Sequence, residues 1–493
     1  MTVIDQSEER RGNNFTLIAG PLVFLISFFI DSPDPFYPFL PQMISITLWM
    51  AIWWLSECVH IAVTSFLPFI LLPACGIADV KVISAQYMDP ILFLFIGGFL
   101  IAFAIEKWGL HRRLALGILS STGKTSGSVL TGVMATSFLL SMWISNTATV
   151  MMLISAVLAV ILQLKDHIQS KETHRRLSAA LLIGLAYSAN IGGMATLVGT
   201  PTNMIFYRFY MEQYGQNYPI SFLGWMAFAL PIALLLLLIT RLTLKYTLLK
   251  NDASLPFDRS LFTAQRKALG PWSSDEKKTA FIFGMTVLLW FTRESIEFGS
   301  YHFTGWSGLF PFPTQITDGT VAVFMALLLF TIPSGTEKGR TLLSWNEAAK
   351  IPYEIILLFG SGFALSKGFE TSGLSNFIAQ KLHGLKDFDL LTLVLIIGAI
   401  VTLISEFASN VASIQLVMPI LIALHSSIGH HPALLMVTAA LSASLGFMLP
   451  VATAPNTIVY SSGHIKVREM VLAGFIIDLA GILVISFFIR YFF

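Results

Sequence analysis

Two polar triplets that lie inside apolar sequence constrain this chain more than any other feature. Ser145-Asn146-Thr147 lies in the apolar segment 126–163, and Ser409-Asn410-Val411 lies in the apolar segment 389–425. Both segments are long enough to enter a lipid bilayer, where an amide or hydroxyl without a partner costs several kcal/mol. The fold must therefore give the polar groups of both triplets a partner or a ligand.

One offset relates the two halves of the chain. The triplets begin at positions 409 and 145, which differ by 264. The segment LFGSGFALSKGFETSGL begins at 358 and realigns with LFIGGFLIAFAIEKWGL, which begins at 94 and gives the same difference. Because two separate segments keep one register, we interpret the chain as an internal duplication with one polar hairpin in each half.

The overall composition places this duplication in a membrane. Hydrophobic residues make up 55% of the chain, charged residues make up 12%, and the mean hydropathy is +0.74. These values are typical of a polytopic membrane protein rather than of several soluble domains. The two cysteines, Cys58 and Cys75, lie in apolar sequence and argue against a disulfide framework or a cysteine metal site. No cleavable signal peptide is evident, because Asp31-Ser32-Pro33-Asp34-Pro35 follows the first apolar run instead of small residues.

Apolar runs near the spanning length predict an all-α polytopic membrane protein with about eleven transmembrane helices. The candidate spans are 15–31, 41–59, 61–77, 90–106, 178–198, 223–246, 278–293, 319–333, 352–366, 434–450 and 470–492. The triplet segments, 126–163 and 389–425, are left over. We predict that each enters the membrane and returns as a re-entrant hairpin, because single spans would break the alternation of basic and non-basic loops.

Basic residues are concentrated in the loops on one side of these spans, which the positive-inside rule places in the cytoplasm together with the N-terminus. These loops are 107–124, 165–176, 241–278, 337–350 and 466–468, and the segment 367–386 is a mild exception on the other side. Five spans separate the segments at 94 and 358, so the halves have opposite orientation, as in the inverted repeats of secondary transporters. The predicted organisation is an N-terminus and first helix at 1–40, a first repeat at 41–246, a cytoplasmic connector at 247–277 and a second repeat at 278–493.

An interrupted helix follows each hairpin. The interruptions are Val198-Gly199-Thr200-Pro201-Thr202-Asn203 and Val451-Ala452-Thr453-Ala454-Pro455-Asn456. Proline blocks a regular helix, and freed backbone groups at membrane depth are tolerated only where they line a cavity or bind a ligand. Freed carbonyls with Ser and Asn oxygens suit a hard cation such as Na⁺, whereas helix N-termini suit an anion. Helix capping or helix packing explains a lone triplet, but duplication beside two broken helices favours a ligand site.

The sequence resembles the divalent anion:sodium symporters, the family of dicarboxylate, citrate and sulfate carriers. Its specific motifs are Trp53-Trp54-Leu55-Ser56-Glu57 followed by Val63-Thr64, the two triplets, Gly199-Thr200-Pro201-Thr202-Asn203, and SLGFMLPVATAPNTIV at 444–459. These motifs occur in the family's order, and the resemblance covers nearly the whole chain from about residue 50. It implies a homodimer and a rigid-body movement of a hairpin-bearing domain against a scaffold of outer helices.

The resemblance also implies two sodium sites and one anion site. The residues implied for the first sodium are Ser141, Ser145, Asn146 and Gly199. Those implied for the second, partly through main-chain carbonyls, are Ser405, Ala408, Asn410 and Ala452. Those implied for the anion are Asn146, Thr147, Thr200, Pro201, Asn410, Val411, Thr453 and Ala454. Because neither hairpin core contains Lys or Arg, we expect anion binding itself to require sodium.

Some positions depart from the family's pattern. Val411 stands where many members have threonine, which removes a hydroxyl from one end of the anion site and leaves room for citrate or tartrate instead of succinate. Thr202 and Ala454 each replace a common proline, and His60 also stands where proline is frequent.

Several charged residues lie in or beside predicted spans. Glu406 adjoins the second triplet, and both a functional and a structural role stay open for this acid. Glu57 and His60 have the spacing of a helical i, i+3 pair, for which a packing contact is favoured over proton handling. Arg208 and Arg293 lie at predicted helix ends, where long basic side chains are expected to reach the membrane interface.

Together these features predict a sodium-coupled symporter of di- or tricarboxylates that works by alternating access, and no enzyme. The predicted partners are the anion, Na⁺ and the lipid bilayer, with no nucleic acid. The predicted location is a bacterial inner (plasma) membrane. A sodium-independent exchanger and a sodium:sulfate symporter remain open on the same fold. An intramembrane enzyme is a remote alternative, because no catalytic spacing is repeated around one site, and a channel would need no two-sided hairpin symmetry.

Overall fold

The computed structural model describes residues 14–121, 123, 125–165, 168, 170–249, 260–298, 301–381, 388–428 and 433–492. Residues 1–13 of the predicted cytoplasmic N-terminus and residues 250–259 of the predicted connector lie outside this description. The same holds for 382–387 and 429–432, which belong to two of the predicted loops.

The described chain is almost entirely helical, as the apolar runs predict. The helices of its first half are α1 Asn14–Ile26, α2 Leu40–Ser56, α3 Ile61–Thr64, α4 Leu67–Ala74, α5 Val80–Gln86, α6 Ile91–Lys107, α7 Leu110–Ser120, α8 Ser126–Ser141, α9 Asn146–Lys165, α10 Lys171–Met194, α11 Pro201–Tyr214 and α12 Phe222–Leu244. Those that follow are α13 Ser260–Ala268, α14 Ser274–Phe291, α15 Asp318–Thr331, α16 Trp345–Ala348, α17 Tyr353–Thr371, α18 Leu374–Lys381, α19 Leu390–Phe407, α20 Asn410–Ile428, α21 Ala433–Ser442, α22 Ala454–Tyr460 and α23 Val467–Phe492.

A short β-ribbon interrupts this all-helical pattern. Strand β1, Ile296–Phe298, pairs antiparallel with β2, Tyr301–Phe303, and Ile296 lies opposite Phe303. The ribbon lies between α14 and α15, in a segment that the sequence assigns to a loop.

The duplication is visible in the positions where helices begin. Helices α7, α8 and α9 begin at 110, 126 and 146, and α18, α19 and α20 begin at 374, 390 and 410, so each pair differs by 264. The residues before α7 and α18 are also equivalent, since Gly109 has φ 70° and Gly373 has φ 77°. Only glycine adopts this left-handed backbone without strain, which explains why both copies have it.

Both triplet-bearing segments are helical hairpins. In each, two consecutive helices contact each other across a short turn, α8 with α9 and α19 with α20. In the described part of the chain, six helices are long and apolar enough to cross a membrane, and shorter apolar helices accompany them. The count of about eleven spans stays a prediction.

Several of the predicted span boundaries are wrong. The span predicted at 434–450 ends at Ser442, and an irregular segment containing Gly446 and Pro450 follows it. The span predicted at 41–59 ends at Ser56. The span predicted at 61–77 is divided into α3 and α4, because Pro68 lies in the first turn of α4, where it has no backbone N–H to continue a helix.

The chain divides into two compact units, each built from both halves of the sequence. Unit 1 contains Met1–Asp89, Pro352–Ala443 and Ile489–Phe493. Its core is an apolar cluster in which Met43 and Trp54 of α2 pack with Leu358 and Phe369 of α17. Unit 1 includes the second hairpin. These units differ from the two sequence repeats, since each unit contains segments of both repeats. The boundaries predicted for the repeats stay a prediction.

Unit 2 contains Pro90–Ile351 and Ser444–Phe488, and it is organised around α10. Every residue of α10 from Leu177 to Met194 is buried, and α10 contacts α8, α9, α12 and α22. On a helix that is covered on all sides, a polar side chain costs free energy unless a neighbouring group supplies a hydrogen-bond partner. The polar residues on α10 are therefore the first positions to inspect for internal hydrogen bonds in unit 2.

Loops that the sequence assigns to the cytoplasmic side contact one another within unit 2. Arg113 forms an ion pair with Glu276 at 2.9 Å, Lys107 pairs with Glu347 at 2.9 Å, and Arg175 pairs with Glu469 at 2.8 Å. Asp275 accepts hydrogen bonds from the Gly335 amide and from Ser334 and Thr336. Burial alone would raise the pKa of Asp275, but these hydrogen bonds outweigh it and lower the pKa to about 2. The ion pairs thus join the loop 107–124 to 241–278 and to 337–350, and they join 165–176 to the start of α23.

Candidate functional site

The tip of the first hairpin places two side-chain oxygens next to each other. Ser141 ends α8, Asn146 begins α9, and the Ser141 hydroxyl donates to Asn146 Oδ1 at 2.5 Å. Ser145 caps α9, because its hydroxyl oxygen accepts from the Ala148 amide at 3.3 Å. The capping alternative thus holds at Ser145, while its predicted role at a sodium stays a prediction.

A glycine on α10 opens the space beside these oxygens. A methyl group on Gly193 would lie 2.5 Å from Asn146 Oδ1 and 3.1 Å from the carbonyl oxygen of Gly199. The backbone of Gly199 is equally close, since a methyl group there would lie 2.6 Å from the Gly193 carbonyl oxygen. The structure therefore brings Ser141, Asn146 and Gly199 together, and their binding of a sodium stays a prediction.

Asn203 bridges the break between α10 and α11. Asn203 Nδ2 donates to the carbonyl oxygens of Gly193, Met194 and Thr196, at 3.1, 3.2 and 2.7 Å. These carbonyls are freed because α10 ends at Met194 and α11 starts only at Pro201. The predicted interruption is confirmed, and its shape depends on Asn203, to which the sequence analysis gave no role.

The second break has the same construction. Asn456 Nδ2 donates to the carbonyl oxygens of Gly446 and Leu449, at 3.0 and 3.2 Å. Thr453 caps the short helix α22 by accepting from the Asn456 amide at 3.3 Å. In both halves an asparagine in the first turn of the helix after the break donates to carbonyl groups of the unwound segment.

Asn190 connects the first triplet to the second break. Its Oδ1 accepts from Asn146 Nδ2 at 3.4 Å, and its Nδ2 donates to the Thr453 hydroxyl oxygen at 3.1 Å. Asn190 lies on α10 and is 2% exposed. The sequence analysis missed it, although an amide in an otherwise apolar buried helix is the signal that indicates such a contact.

The second hairpin in unit 1 repeats the first at its tip. The Ser405 hydroxyl donates to Asn410 Oδ1 at 2.8 Å, as Ser141 donates to Asn146, and Ser409 caps α20 by accepting from the Ala412 amide at 3.2 Å. The Ser405 hydroxyl also lies 2.6 Å from the Ala443 carbonyl oxygen, so the two acceptors compete for its single O–H. Ala408 is buried, whereas Ala452 belongs to unit 2, and the second sodium site stays a prediction.

The residues predicted to bind the anion differ in exposure. Asn146, Thr147 and Pro201 are half-buried in unit 2, and Ala454 is exposed. Thr200 and Thr453 are buried, at 6% and 9% exposure. Asn410 and Val411 are half-buried in unit 1, where Val411 packs against the apolar cluster. Their role in binding stays a prediction.

No acidic ligand set accompanies these oxygens. Among the described residues, no group of three or more His, Cys, Asp or Glu side chains is placed to hold a metal ion. A cation beside Asn146 would therefore be held by hydroxyl, amide and carbonyl oxygens, a donor set that suits a weakly bound hard cation such as Na⁺.

The charged residues depart from the sequence-based expectations. Glu57 and His60 share no helix, because Glu57 has φ 47° after the end of α2 and His60 caps α3. Arg208 and Arg293 do not reach outward, since they are 5% and 8% exposed and pair with Glu212 and Asp318. Burial beside an acid on a neighbouring segment or turn satisfies each guanidinium inside the protein.

Glu406 is fully buried in α19. Burial is compatible with both roles that the sequence left open for it.

This arrangement of paired hairpins and broken helices is that of a secondary transporter. The chain belongs to the family described as "Sodium:sulfate symporter transmembrane region", which matches residues 12–493. The resemblance to the anion:sodium symporters is thereby confirmed, and the protein is an integral, multi-pass membrane transporter.

Similar proteins include sodium-dependent dicarboxylate transporters named SdcS. The chain is 38% identical to the one from Staphylococcus saprophyticus, over 95% of this chain and 89% of that relative. It is 36% identical to the one from Staphylococcus aureus strain USA300, over 100% of this chain and 94% of that relative.

Two solved transporter structures share the fold. The YdaH transporter of Alcanivorax borkumensis has a TM-score of 0.53 at 12% identity, with 97% of both chains covered. MtrF of Neisseria gonorrhoeae has a TM-score of 0.55 at 14% identity, with 97% of this chain and 96% of that chain covered.

Proposed function

We propose that this protein is a sodium-coupled symporter of dicarboxylate anions that works by alternating access. The observation that carries the proposal is the likeness to sodium-dependent dicarboxylate transporters along nearly the whole chain. A sodium gradient would drive uptake, with an added contribution from the membrane potential of about 2.3 kcal/mol per net charge per 100 mV.

The cation would be held at the first hairpin by oxygen atoms without formal charge. Ser141 and Asn146 supply adjacent side-chain oxygens, and Gly199 supplies a carbonyl freed by the helix break. Neutral oxygens bind Na⁺ weakly enough to release it on the other side of the membrane, which a transporter requires. Ser405 and Asn410 repeat the side-chain pair in the second hairpin and support a second sodium there.

The anion would be bound without a basic side chain. The N-terminus of α9 presents backbone N–H groups and the Thr147 hydroxyl, and the Thr453 hydroxyl at the start of α22 adds another donor. Because these groups are neutral, bound sodium supplies the positive charge that a dicarboxylate needs. We propose in addition a homodimer in a bacterial inner membrane, with the N-terminus in the cytoplasm.

The deciding experiment measures uptake of radiolabelled succinate and citrate into proteoliposomes that contain the purified protein. An inward sodium gradient should drive uptake, and replacement of sodium by potassium should abolish it. Sodium-independent uptake that appears only with dicarboxylate loaded inside would instead identify an exchanger on the same fold. Competition by sulfate, but not by succinate, would identify a sulfate carrier.

Asn146→Ala and Asn410→Ala test the site assignment in the same vesicles. Each should abolish uptake while leaving membrane insertion and chromatographic behaviour unchanged, because each removes an amide oxygen from a proposed cation site. Normal uptake in both variants would contradict the assignment.

A further inference from the structure

We propose that Asn190 is the positioning residue that couples sodium binding at Asn146 to anion binding at Thr453. This inference rests on the proposed function and adds a residue and a physical route to it. All of the groups involved lie in unit 2, on α9, α10 and the cap of α22.

The route is a continuous line of hydrogen bonds. Asn146 Nδ2 donates to Asn190 Oδ1 at 3.4 Å, and Asn190 Nδ2 donates to the Thr453 hydroxyl oxygen at 3.1 Å. Residues 146, 190 and 453 lie far apart in sequence, so tertiary packing alone creates this line. Asn190 and Thr453 are almost fully buried, at 2% and 9% exposure, which shields the contact between them from water.

Every donor in the line has the same direction. At one end, Asn146 Oδ1 faces the Ser141 hydroxyl and the space left open by Gly193. At the other end, the Thr453 oxygen already accepts from Asn190 and from the Asn456 amide. With two bonds accepted, the Thr453 hydroxyl keeps its single O–H as the donor for a ligand such as a carboxylate.

This direction links the two ligands through polarisation. A cation on Asn146 Oδ1 draws electron density from that amide and makes its Nδ2 a stronger donor to Asn190. The Asn190 amide is polarised in turn and donates more strongly to Thr453, whose O–H then donates more strongly to a carboxylate. Hydrogen bonds in a chain strengthen one another in this way inside a medium of low dielectric constant. Sodium and anion therefore favour each other's binding through Asn190.

The test measures equilibrium binding of radiolabelled succinate to the purified full-length protein at low and high NaCl, with choline chloride keeping the ionic strength constant. The coupling factor is the ratio of the two dissociation constants, and linkage requires succinate to change the sodium affinity by the same factor. Asn190→Leu keeps the size of the side chain but removes both hydrogen bonds. It should lower the coupling factor by about five- to tenfold.

A matched control lies on the same helix. Ser188 is buried on α10, and its hydroxyl has no hydrogen-bond partner among the described residues. Ser188→Ala should therefore keep the coupling factor of the unaltered protein. Asn190→Asp keeps an acceptor for Asn146 but, when ionised, loses the donor to Thr453. It should tighten sodium binding in the absence of succinate and weaken succinate binding at all sodium concentrations.

Thr453→Val tests the far end of the line if Asn190→Leu does not yield a monodisperse protein. It should lower the coupling factor to the same extent, and the double variant should show no further loss, because both changes break one route. An unchanged coupling factor in folded Asn190→Leu or Thr453→Val protein would overturn the proposal. Sodium-independent succinate binding by the unaltered protein would instead refute the proposed function, so the two failures are distinguishable.

Discussion

At the residue scale, the site depends on side chains that are small or neutral. Gly193 is the clearest case, because its missing Cβ is what lets Asn146 Oδ1 and the Gly199 carbonyl approach each other. Asn146 and Asn190 are amides that both donate and accept hydrogen bonds without carrying charge, and Asn203 donates from its amide nitrogen. Neutral groups avoid the large desolvation cost of a buried ion while they still orient freed carbonyls.

Gly193→Ala should weaken sodium binding. The new methyl group would lie 2.5 Å from Asn146 Oδ1, closer than real Cβ contacts allow, so it would displace the amide or fill the cation's space. Inserting a methyl group into a packed site costs about 1–3 kcal/mol. If this cost weakens sodium binding, the sodium concentration for half-maximal succinate uptake should rise about tenfold. Gly284→Ala is the control, because nothing lies within 4 Å of its added methyl group. Equal sodium dependence in the two variants would contradict a cation site in the space beside Gly193.

Val411→Thr should shift the preference between four-carbon and six-carbon acids. The change restores a hydroxyl at the start of α20 without changing the size of the side chain, and Val411 is only half-buried. The measurement is competition of succinate and citrate for uptake by each variant. Val417→Thr, at a similarly half-buried position on the same helix, should leave the profile unchanged. If Val411→Thr also leaves the preference between succinate and citrate unchanged, the side chain at position 411 does not determine substrate selectivity.

At the scale of elements, the two halves use one construction twice. Each has a hairpin whose first helix ends near a serine that donates to the asparagine at the start of the second. Each also has a broken helix whose carbonyls are gathered by a later asparagine. The hairpins keep the offset of 264, whereas α11 and α22 begin at 201 and 454 and differ by 253. The second half therefore lacks eleven residues between hairpin and break, the difference between 264 and 253.

Asn203→Ala should loosen the first break. It removes the donor that three buried carbonyls share, while Met194 keeps the Trp225 indole N–H and Thr196 keeps the Gly199 amide. The lost hydrogen bonds predict a loss of about 1–3 kcal/mol in the free energy of unfolding. Thermal unfolding in detergent, with and without NaCl, should show a lower melting temperature and a smaller stabilisation by sodium.

Thr240→Val is the control for this measurement, because the Thr240 hydroxyl is buried without a hydrogen-bond partner in the described part of the chain. Loss of this hydroxyl should leave the melting temperature and its increase with NaCl nearly unchanged. If Asn203→Ala keeps the full sodium-dependent stabilisation, the hydrogen bonds of Asn203 do not shape the cation site.

At the scale of the whole molecule, the sign of the loop charges predicts the orientation. The ion pairs of Lys107, Arg113 and Arg175 join loops that were predicted to share one side, which supports placing them together. The positive-inside rule then assigns that side to the cytoplasm.

Cysteine labelling in intact cells tests this orientation, after Cys58 and Cys75 are replaced by serine. Arg340→Cys lies on an exposed loop of the basic side, and Asn217→Cys lies on an exposed loop of the other side. A membrane-impermeant maleimide should label position 217 in intact cells and position 340 only after permeabilisation. The reverse pattern would mean that the N-terminus lies outside.

The sequence alone determined the features that repeat locally. Apolar runs identified the membrane class and most helices, because burial in lipid requires a long uninterrupted run. The 264-residue offset identified both hairpins, and proline beside small residues identified both breaks. Helix ends without such signals were misplaced, as at Ser442, and Arg208 and Arg293 were expected at the interface because their partners are not visible in a hydropathy pattern.

Only the tertiary structure decided which polar groups meet. Asn190 reaches Thr453, 263 residues later, because α10 and α22 pack together in unit 2. Gly193 leaves space beside Asn146, and Asn203 and Asn456 donate to the carbonyls of the two breaks. The spacing of residues in the sequence does not predict these contacts. Hydropathy and periodicity indicate which parts of one segment are buried and which are in water. A line of hydrogen bonds across three segments depends instead on how those segments pack against one another.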